Sequence, residues 1–337
     1  MGTSIPINIL VTGGGALLGQ SIIRSLNKSR YRSSIKIGVA DPNPLSVGLY
    51  WADNSHKIPP AKDKNFISEL KKLIKTNKYK LVIPGTDAEL EKLSFYKNEI
   101  EKSLNCIVLV SSEKVVEISN DKYATYKFLK SNNFNPPASC TLENLDLFLI
   151  DNQPPFIVKP RFGARSVGVY KVSDIEELKN KISITENPII QECITNPNLE
   201  YTAGSLVFDK NCFGCILMRR DLKDGNTYRA WTQKSKILED FIIKVSEKLN
   251  PFGPCNFQFR LDNNNEPRIF EINARFSGTT FFRTRAGFPE VEMSIKHLMF
   301  DEDISSESNI SEITFLRYWN EIELDTKGNL RFDNNGK

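Results

Sequence analysis

Residues 269–278, IFEINARFSG, constrain the chain more than any other stretch. They open as an apolar strand and end by presenting Glu271, Asn273 and Arg275. Strand side chains alternate faces, so these three point the same way. Upstream, residues 256–261 (NFQFRL) alternate Asn256, Gln258 and Arg260 against Phe257, Phe259 and Leu261. The intervening residues 262–265 are turn formers. A hairpin closed symmetrically about Asn264–Asn265 sets Gln258 opposite Glu271 and Asn256 opposite Asn273, and a one-residue slip would undo it. Oxygen ligands from two strands then share a face beside an arginine. Such a set suits Mg²⁺, which takes one or two carboxylates and finishes its octahedron with water and phosphate. The plainer alternative is a half-exposed hairpin with its polar side in water.

A length of 337 residues suggests two or three domains, and 40% apolar with 26% charged residues is an ordinary soluble composition. Net charge is only +4, and Lys71, Lys72, Lys75, Lys78 and Lys80 read as a solvated helix face, so nucleic acid is not expected. No apolar run reaches the ~18 residues of a membrane span, and the run 7–11 is too short for a secretory signal. The six cysteines are scattered, the one CxxC (Cys212, Cys215) has no second pair, and there are only two histidines. Reduced thiols in the cytoplasm are therefore expected rather than a zinc site or disulfides.

The first element reads strand 7–11, glycine turn 12–15, helix 17–26, with Gly13, Gly15 and Gly19 spaced as GxGxxxG and Asp41 after a strand at 35–40. This admits a dinucleotide fingerprint, phosphate at the helix N-terminus and Asp41 on a ribose. It equally admits a plain Asp-Pro-Asn-Pro turn at 41–44. A helix at 65–76 buries Phe66, Leu70, Leu73 and Ile74; a strand at 81–83, a further helix and a strand at 106–110 complete a doubly wound α/β unit. Ligands of such sheets bind at the carboxyl ends of strands, where Gly13–Gly15, Asp41 and Thr86–Asp87 lie.

Beyond residue 112 the pattern changes. A helix carrying Lys122 and Lys127 runs to the break at Pro136–Pro137. A strand at 156–159 then meets Pro160 and the loop RFGARSVG, residues 161–168, before a strand at 169–172. Ser173 and Glu176 suggest a capping box, and strands follow at 188–192 and 200–208. Alone, Lys159 would read as a strand-end surface lysine. Placed before a Gly-rich loop between two strands, it belongs to a cover that can close on polyphosphate. Residues 301–337 begin acidic and Ser-rich, continue as a strand at 313–319 packed on the body, and fray from 329.

Taken in order, these motifs resemble the ATP-grasp superfamily, and within it the carbamoyl-phosphate-synthetase-like, single-unit carboxylate–amine ligases. The resemblance spans about residues 5–300. It implies an α/β chain with a Rossmann-like pre-ATP-grasp domain (1–112) and a two-lobed α+β ATP-grasp domain. The small lobe (113–187) carries the Gly-rich loop, the large lobe (188–300) the metal site, and 301–337 is a C-terminal extension. By the same resemblance Lys122 and Lys159 are the nucleotide lysines, and Gly163, Arg165, Ser166 and Gly168 form the loop over the phosphates. Gln191, Glu192, Cys193 and Ile194 make the adenine hinge, and Glu200 is the ribose acid. Gln258, Glu271 and Asn273 hold metal, and Arg275 clamps phosphate or carboxylate. Gln258 stands where many such ligases carry an acid, which implies a weaker site without nucleotide.

The implied cofactors are ATP and one or two Mg²⁺, with Mn²⁺ as a substitute. The implied activity joins a small-molecule carboxylate, activated as an acyl phosphate, to an amine with release of ADP and phosphate. Arg275, Lys159 and Glu271 would carry the chemistry. Arg220, Arg229 and Arg283, with Gly14, Asp87 and Glu89 of the first domain, are candidates for the substrate side. A carbamoyl phosphate synthetase fuses two such halves and this chain has one; a homodimer is open. Three alternatives stand: a kinase whose acyl or carbamoyl phosphate is the product, an NAD(P)-binding oxidoreductase, and a non-catalytic nucleotide-binding module. The oxidoreductase leaves Lys159, the second loop and the Glu271–Asn273 pair without a role.

Overall fold

The structure is a computed structural model and describes residues 5–163, 166–196, 200–304 and 309–330. Strands β1 (Ile7–Thr12), β2 (Ile35–Asp41), β3 (Asn54–Lys57), β4 (Leu81–Ile83) and β5 (Ile107–Val108) form a parallel sheet in the order 3-2-1-4-5. Helices α1 (Leu17–Lys28), α2 (Phe66–Asn77) and α3 (Leu90–Leu104) make the crossovers. Ile9 and Val11 pack with Ile22, Ile23 and Leu26 of α1, while Leu10 and Val82 pack with Phe66, Leu70 and Leu93 on the opposite face. A parallel sheet covered on both sides needs strands that are apolar on both faces. The fifth strand is shorter than the apolar run 106–110, because Val110 N–H bonds back to Val108 O at 2.8 Å and turns the chain out of the sheet.

Helices α4 (Glu113–Asn120) and α5 (Lys122–Ser131) lead to a second sheet. Its strands β6 (Ser139–Cys140), β7 (Phe156–Pro160), β8 (Tyr170–Val172) and β9 (Pro188–Glu192) run in the order 6-9-7-8. Helices α6 (Leu145–Asp151) and α7 (Ile175–Ile184) cover it through Phe148, Phe156, Val158 and Leu178. Because β9 belongs to this sheet, the expected division at 187 falls inside it, and the change of sheet comes between Glu192 and Glu200. The capping box of α7 also lies one residue later than expected. Asp174 has the extended backbone at the helix entry and accepts from Glu177 N–H at 2.8 Å, while Glu177 accepts from Ser173 N–H at 2.7 Å.

The third sheet is antiparallel: β10 (Glu200–Phe208), β11 (Asn211–Lys223), β12 (Asn226–Gln233), β13 (Gly253–Leu261), β14 (Pro267–Asn273) and β15 (Thr314–Leu316), in the order 14-13-10-11-12-15. One face packs on α8 (Lys236–Leu249), α4 and α5 through Tyr201, Ala203, Phe257 and Phe259. The lower half of the other face shares a core with α1, α9 (Thr280–Arg285) and α10 (Glu290–Phe300), built on Leu206, Phe208, Met218, Phe276 and Phe288. Its upper half carries Glu200, Gln258 and Glu271 and stays polar. β15 covers less than the expected 313–319, because Phe315 is buried while Tyr318 and Trp319 turn to solvent. Asn329, expected to fray, donates its N–H to Asp325 at 2.8 Å; residues 331–337 lie outside the described part. Among the described residues no helix is long and apolar enough to cross a membrane.

Candidate active site

The β13–β14 hairpin places Gln258 opposite Glu271 and Asn256 opposite Asn273, as the symmetric closure predicts. The route differs. Nearer the turn, Phe259 pairs Ile269 and Leu261 pairs Pro267, one residue out of the symmetric register. A bulge at Phe270 restores it before the site is reached. The bulge also turns Phe270 toward the cleft, where its ring lies 5.6 Å from Lys159 Nζ. Strict alternation would put Phe270 on the other face, so period-two reading misses it.

From this hairpin a polar network runs along the sheet face. Arg260 Nη2 donates to Glu200 Oε2 at 2.6 Å, and Arg220 Nη2 donates to Glu200 Oε1 at 2.8 Å and Gln258 Oε1 at 2.6 Å. Gln258 and Asn273 amides donate to Glu271 Oε1 at 3.3 and 2.9 Å. Arg275 Nη2 donates to Asn273 Oδ1 at 3.0 Å, and its Nε donates to Asp87 Oδ1 at 2.6 Å, crossing into the first domain. Arg220, expected on the substrate side, therefore sits between the expected ribose acid and the expected metal ligands.

Lys159 and Lys122 approach Glu271 from the other side of the cleft. Lys159 is buried, and its ammonium donates to Gln191 Oε1 at 2.8 Å. Burial pushes its pKa down to about 7; Lys122 adds to the depression and Glu271 opposes it. Lys122 is the first residue of α5, whose N-cap Asp121 is gripped by both prongs of Arg161 at 2.7 and 2.6 Å. Its Nζ donates to Gly163 O at 2.8 Å, tying α5 to the start of the loop. Burial also lowers Lys122, with Glu271 opposing. Gly163 (φ 112°) has open space around it, while Gly168 (φ 70°) faces the Pro160 ring; both backbone conformations suit glycine. Ser166 is exposed, and Arg165 lies outside the described residues.

In the hinge, Glu192 N–H donates to Ala138 O at 2.8 Å and Cys193 N–H to Pro155 O at 3.2 Å, which leaves Ile194 as the next backbone N–H along it. The Glu192 carboxylate is held by Arg268 at 2.8 Å and Ala138 N–H at 3.0 Å.

The donor set at Gln258, Glu271 and Asn273 fits a hard cation: rotating either amide turns its oxygen toward the Glu271 carboxylate. Arg220 and Arg275 beside it are paired with Glu200 and Asp87, whereas the Lys122 and Lys159 charges act directly on the Glu271 carboxylate and oppose a lone cation there. No cluster of three or more His, Cys, Asp or Glu side chains offers a competing metal site among the described residues.

Several expected site residues do other work. Asp41 accepts from Gly15 N–H at 2.8 Å, Asn43 N–H at 2.9 Å and Ser46 Oγ at 2.6 Å, so it ties its own glycine turn instead of offering itself to a ribose. The space beside Gly13 is filled by Thr86 and that beside Gly14 by Val39. The glycines are explained by close packing of this chain, which removes the basis of the dinucleotide reading. Glu89 is buried and accepts from Thr12 Oγ1 at 2.6 Å; burial pushes it up to about 7. It serves as a core carboxyl, not a substrate contact. Arg283, expected near substrate, is 0% exposed and pairs with Glu290 at 3.3 Å beneath Asn256. Arg229 points to solvent and pairs with Asp221 at 2.8 Å. Arg283 lies on α9 and is covered by Asn256 and Thr202 from distant strands, while Arg229 sits on β12 with half of its side chain in solvent.

Two family descriptions match the chain, an ATP-grasp domain over residues 119–279 and a PylC-like N-terminal domain over residues 9–109. No curated protein sequence matches it. Among solved structures it is similar to N5-carboxyaminoimidazole ribonucleotide synthetase from Thermotoga maritima, at 19% identity over 90% of this chain and 78% of that one, with a TM-score of 0.66. It is also similar to L-amino acid ligase from Bacillus licheniformis (15% identity, 92% and 79% covered, TM-score 0.67). A third likeness is to the biotin carboxylase–β-γ-ATP complex from Campylobacter jejuni (15% identity, 88% and 71% covered, TM-score 0.68). At such identities the structural likenesses speak for the fold. The chain therefore carries an ATP-grasp domain over residues 119–279, preceded over residues 9–109 by a PylC-like N-terminal domain, in the expected order.

Proposed function

We propose that the protein is an ATP- and Mg²⁺-dependent carboxylate–amine ligase. It activates a carboxylate as an acyl phosphate and joins it to an amine, releasing ADP and phosphate. The observation that carries this reading is that Lys159 of the second sheet lies 5.6 Å from the ring of Phe270, next to Glu271 on the third, with Lys122 and Lys159 near enough for the Glu271 charge to act on both. A carboxylate is a poor electrophile because its charge repels the nucleophile, and phosphoryl transfer to it needs mainly charge neutralisation and alignment. Lys159 and Lys122 supply charge for the phosphates, and the 163–168 loop shields them from water. Gln258, Glu271 and Asn273 would hold the cation, which neutralises phosphate charge when bound; Mn²⁺ fits the same oxygens. Arg275 presents the planar fork that orients a carboxylate, and in the resting chain Asp87 occupies that fork. The similar proteins named as amino acid ligase and ribonucleotide synthetase support a small-molecule pair as substrates. Six free cysteines favour a reducing compartment, the cytoplasm.

Isothermal calorimetry tests the nucleotide half. MgATP should bind and NAD should not; NAD binding without ATP affinity would overturn the reading. An ADP-release screen over carboxylates crossed with amines, followed by mass spectrometry, tests the other half. ADP formed with the carboxylate alone, with a stable acyl phosphate as product, would favour the kinase instead.

Lys159 gives the binding a pH signature. With a free pKa of about 7, the side chain is largely neutral at pH 8, and bound phosphates favour its ammonium form. MgADP binding above pH 7 should therefore take up a proton, and affinity should fall as pH rises, by up to about tenfold per unit. Calorimetry in two buffers of different ionisation enthalpy reads the uptake. Lys159→Arg, always charged, should abolish it; unchanged uptake would reject Lys159 as its source.

A further inference from the structure

Beyond the network described above, one group of charges has no counter-ion among the described residues. Arg24 of α1 stacks its guanidinium 4.0 Å over the Phe281 ring, and Arg317 stacks 4.8 Å over the adjacent Phe282. Arg285 lies one turn beyond Phe281 on α9, and the Ser25–Thr284 hydroxyl contact of 2.9 Å brings it beside Arg24. Among the described residues none of the three arginines forms an ion pair. Arg317 is held in place, donating from Nε to Thr227 O at 3.0 Å and from Nη2 to Gly278 O at 2.8 Å. Burial lowers its pKa to about 10, with Arg24 adding to the depression. Arg24 and Arg285 are exposed and Arg317 is half-buried; like charges held side by side, one of them partly desolvated, are relieved when an anion joins them.

The location gives that anion a purpose. Gly278 O, which anchors Arg317, also accepts from Ser21 Oγ at 3.1 Å and lies three residues beyond Arg275. The arginines thus flank the same domain junction that the Arg275–Asp87 bond spans. We propose that Arg24, Arg285 and Arg317 form an anion subsite that receives a second acidic group, phosphate or carboxylate, on the substrate held at Arg275. The identity of that ligand as a substrate rests on the ligase reading; the subsite itself does not. An acidic group at each end would let the chain reject neutral amines and simple monocarboxylates, because the site's charges would be left unpaired.

The test uses the full chain saturated with MgADP, at constant ionic strength, titrated calorimetrically with inorganic phosphate and with succinate. Saturable binding is expected, and Arg24→Gln and Arg285→Gln should each weaken it by roughly tenfold or more, as for a lost hydrogen bond between charged groups. Lys28→Gln, elsewhere on α1, should not. Tighter phosphate binding points to a phosphate ester, tighter succinate binding to a dicarboxylate. Absence of saturable binding, or equal affinity in wild type and both arginine variants, overturns the subsite. If MgADP itself fails to bind, the ligase reading falls while the same titrations, run without nucleotide, still judge the arginines.

Discussion

Glu271→Gln is expected to remove ADP release almost completely while leaving the fold intact. Its carboxylate is the only one among the three proposed metal ligands, and it accepts from both neighbouring amides through Oε1. The change keeps the shape of the side chain and deletes its charge. The cation would then face three neutral amides between Arg220 and Arg275, with Lys122 and Lys159 opposite. Losses of about 10²–10³ in kcat are typical when one preorganised electrostatic group is removed from a transition state, and a site with a single carboxylate should fall at the upper end. ADP release at saturating Mg²⁺ reads the effect, and thermal unfolding checks the fold. Turnover at the wild-type rate would reject Glu271 as the ligand.

Arg283→Met should cost more stability than any surface change, about 3–5 kcal/mol, the range for removing one partner of a buried ion pair. Arg283 and Glu290 are both 0% exposed, and Arg283 also donates to Asn256, which sits opposite Asn273. Burial already pushes the Glu290 pKa above its ordinary value, with Arg283 opposing. Without the guanidinium it rises further, so the folded state binds a proton that the unfolded chain releases above about pH 4.5. The loss of stability should accordingly be smaller at pH 5 and larger at pH 8. Urea unfolding at both values measures this, and Arg283→Met combined with Glu290→Leu should recover part of the loss. A pH-independent loss would show that the pair is not what fails.

Several strands and the pairing of the candidate ligands were legible in the sequence because both rest on local signals. Strands Leu81–Ile83, Pro188–Glu192 and Glu200–Phe208 agree with the sequence reading to the residue, since apolar runs are bounded there by turn residues or charges. The pairing of Gln258 with Glu271 was legible from the turn formers at 262–265. Phe270 was not, because a bulge leaves no mark on hydrophobic alternation. Nor were the roles of Arg283 and Glu89, which depend on what covers a residue from distant parts of the chain. Asp41 shows the same limit: an acid after the second strand reads alike whether it holds a ribose or, as here, the Gly15 N–H.

Oxygen transfer tests the central chemistry most directly. With the substrate pair returned by the ADP-release screen, the carboxylate is supplied doubly labelled with ¹⁸O. An acyl phosphate leaves one carboxylate oxygen bridging carbon and phosphorus, and attack by the amine expels it with the phosphate. The released phosphate should carry one ¹⁸O per amide formed; amide formation with unlabelled phosphate would rule out an acyl phosphate intermediate.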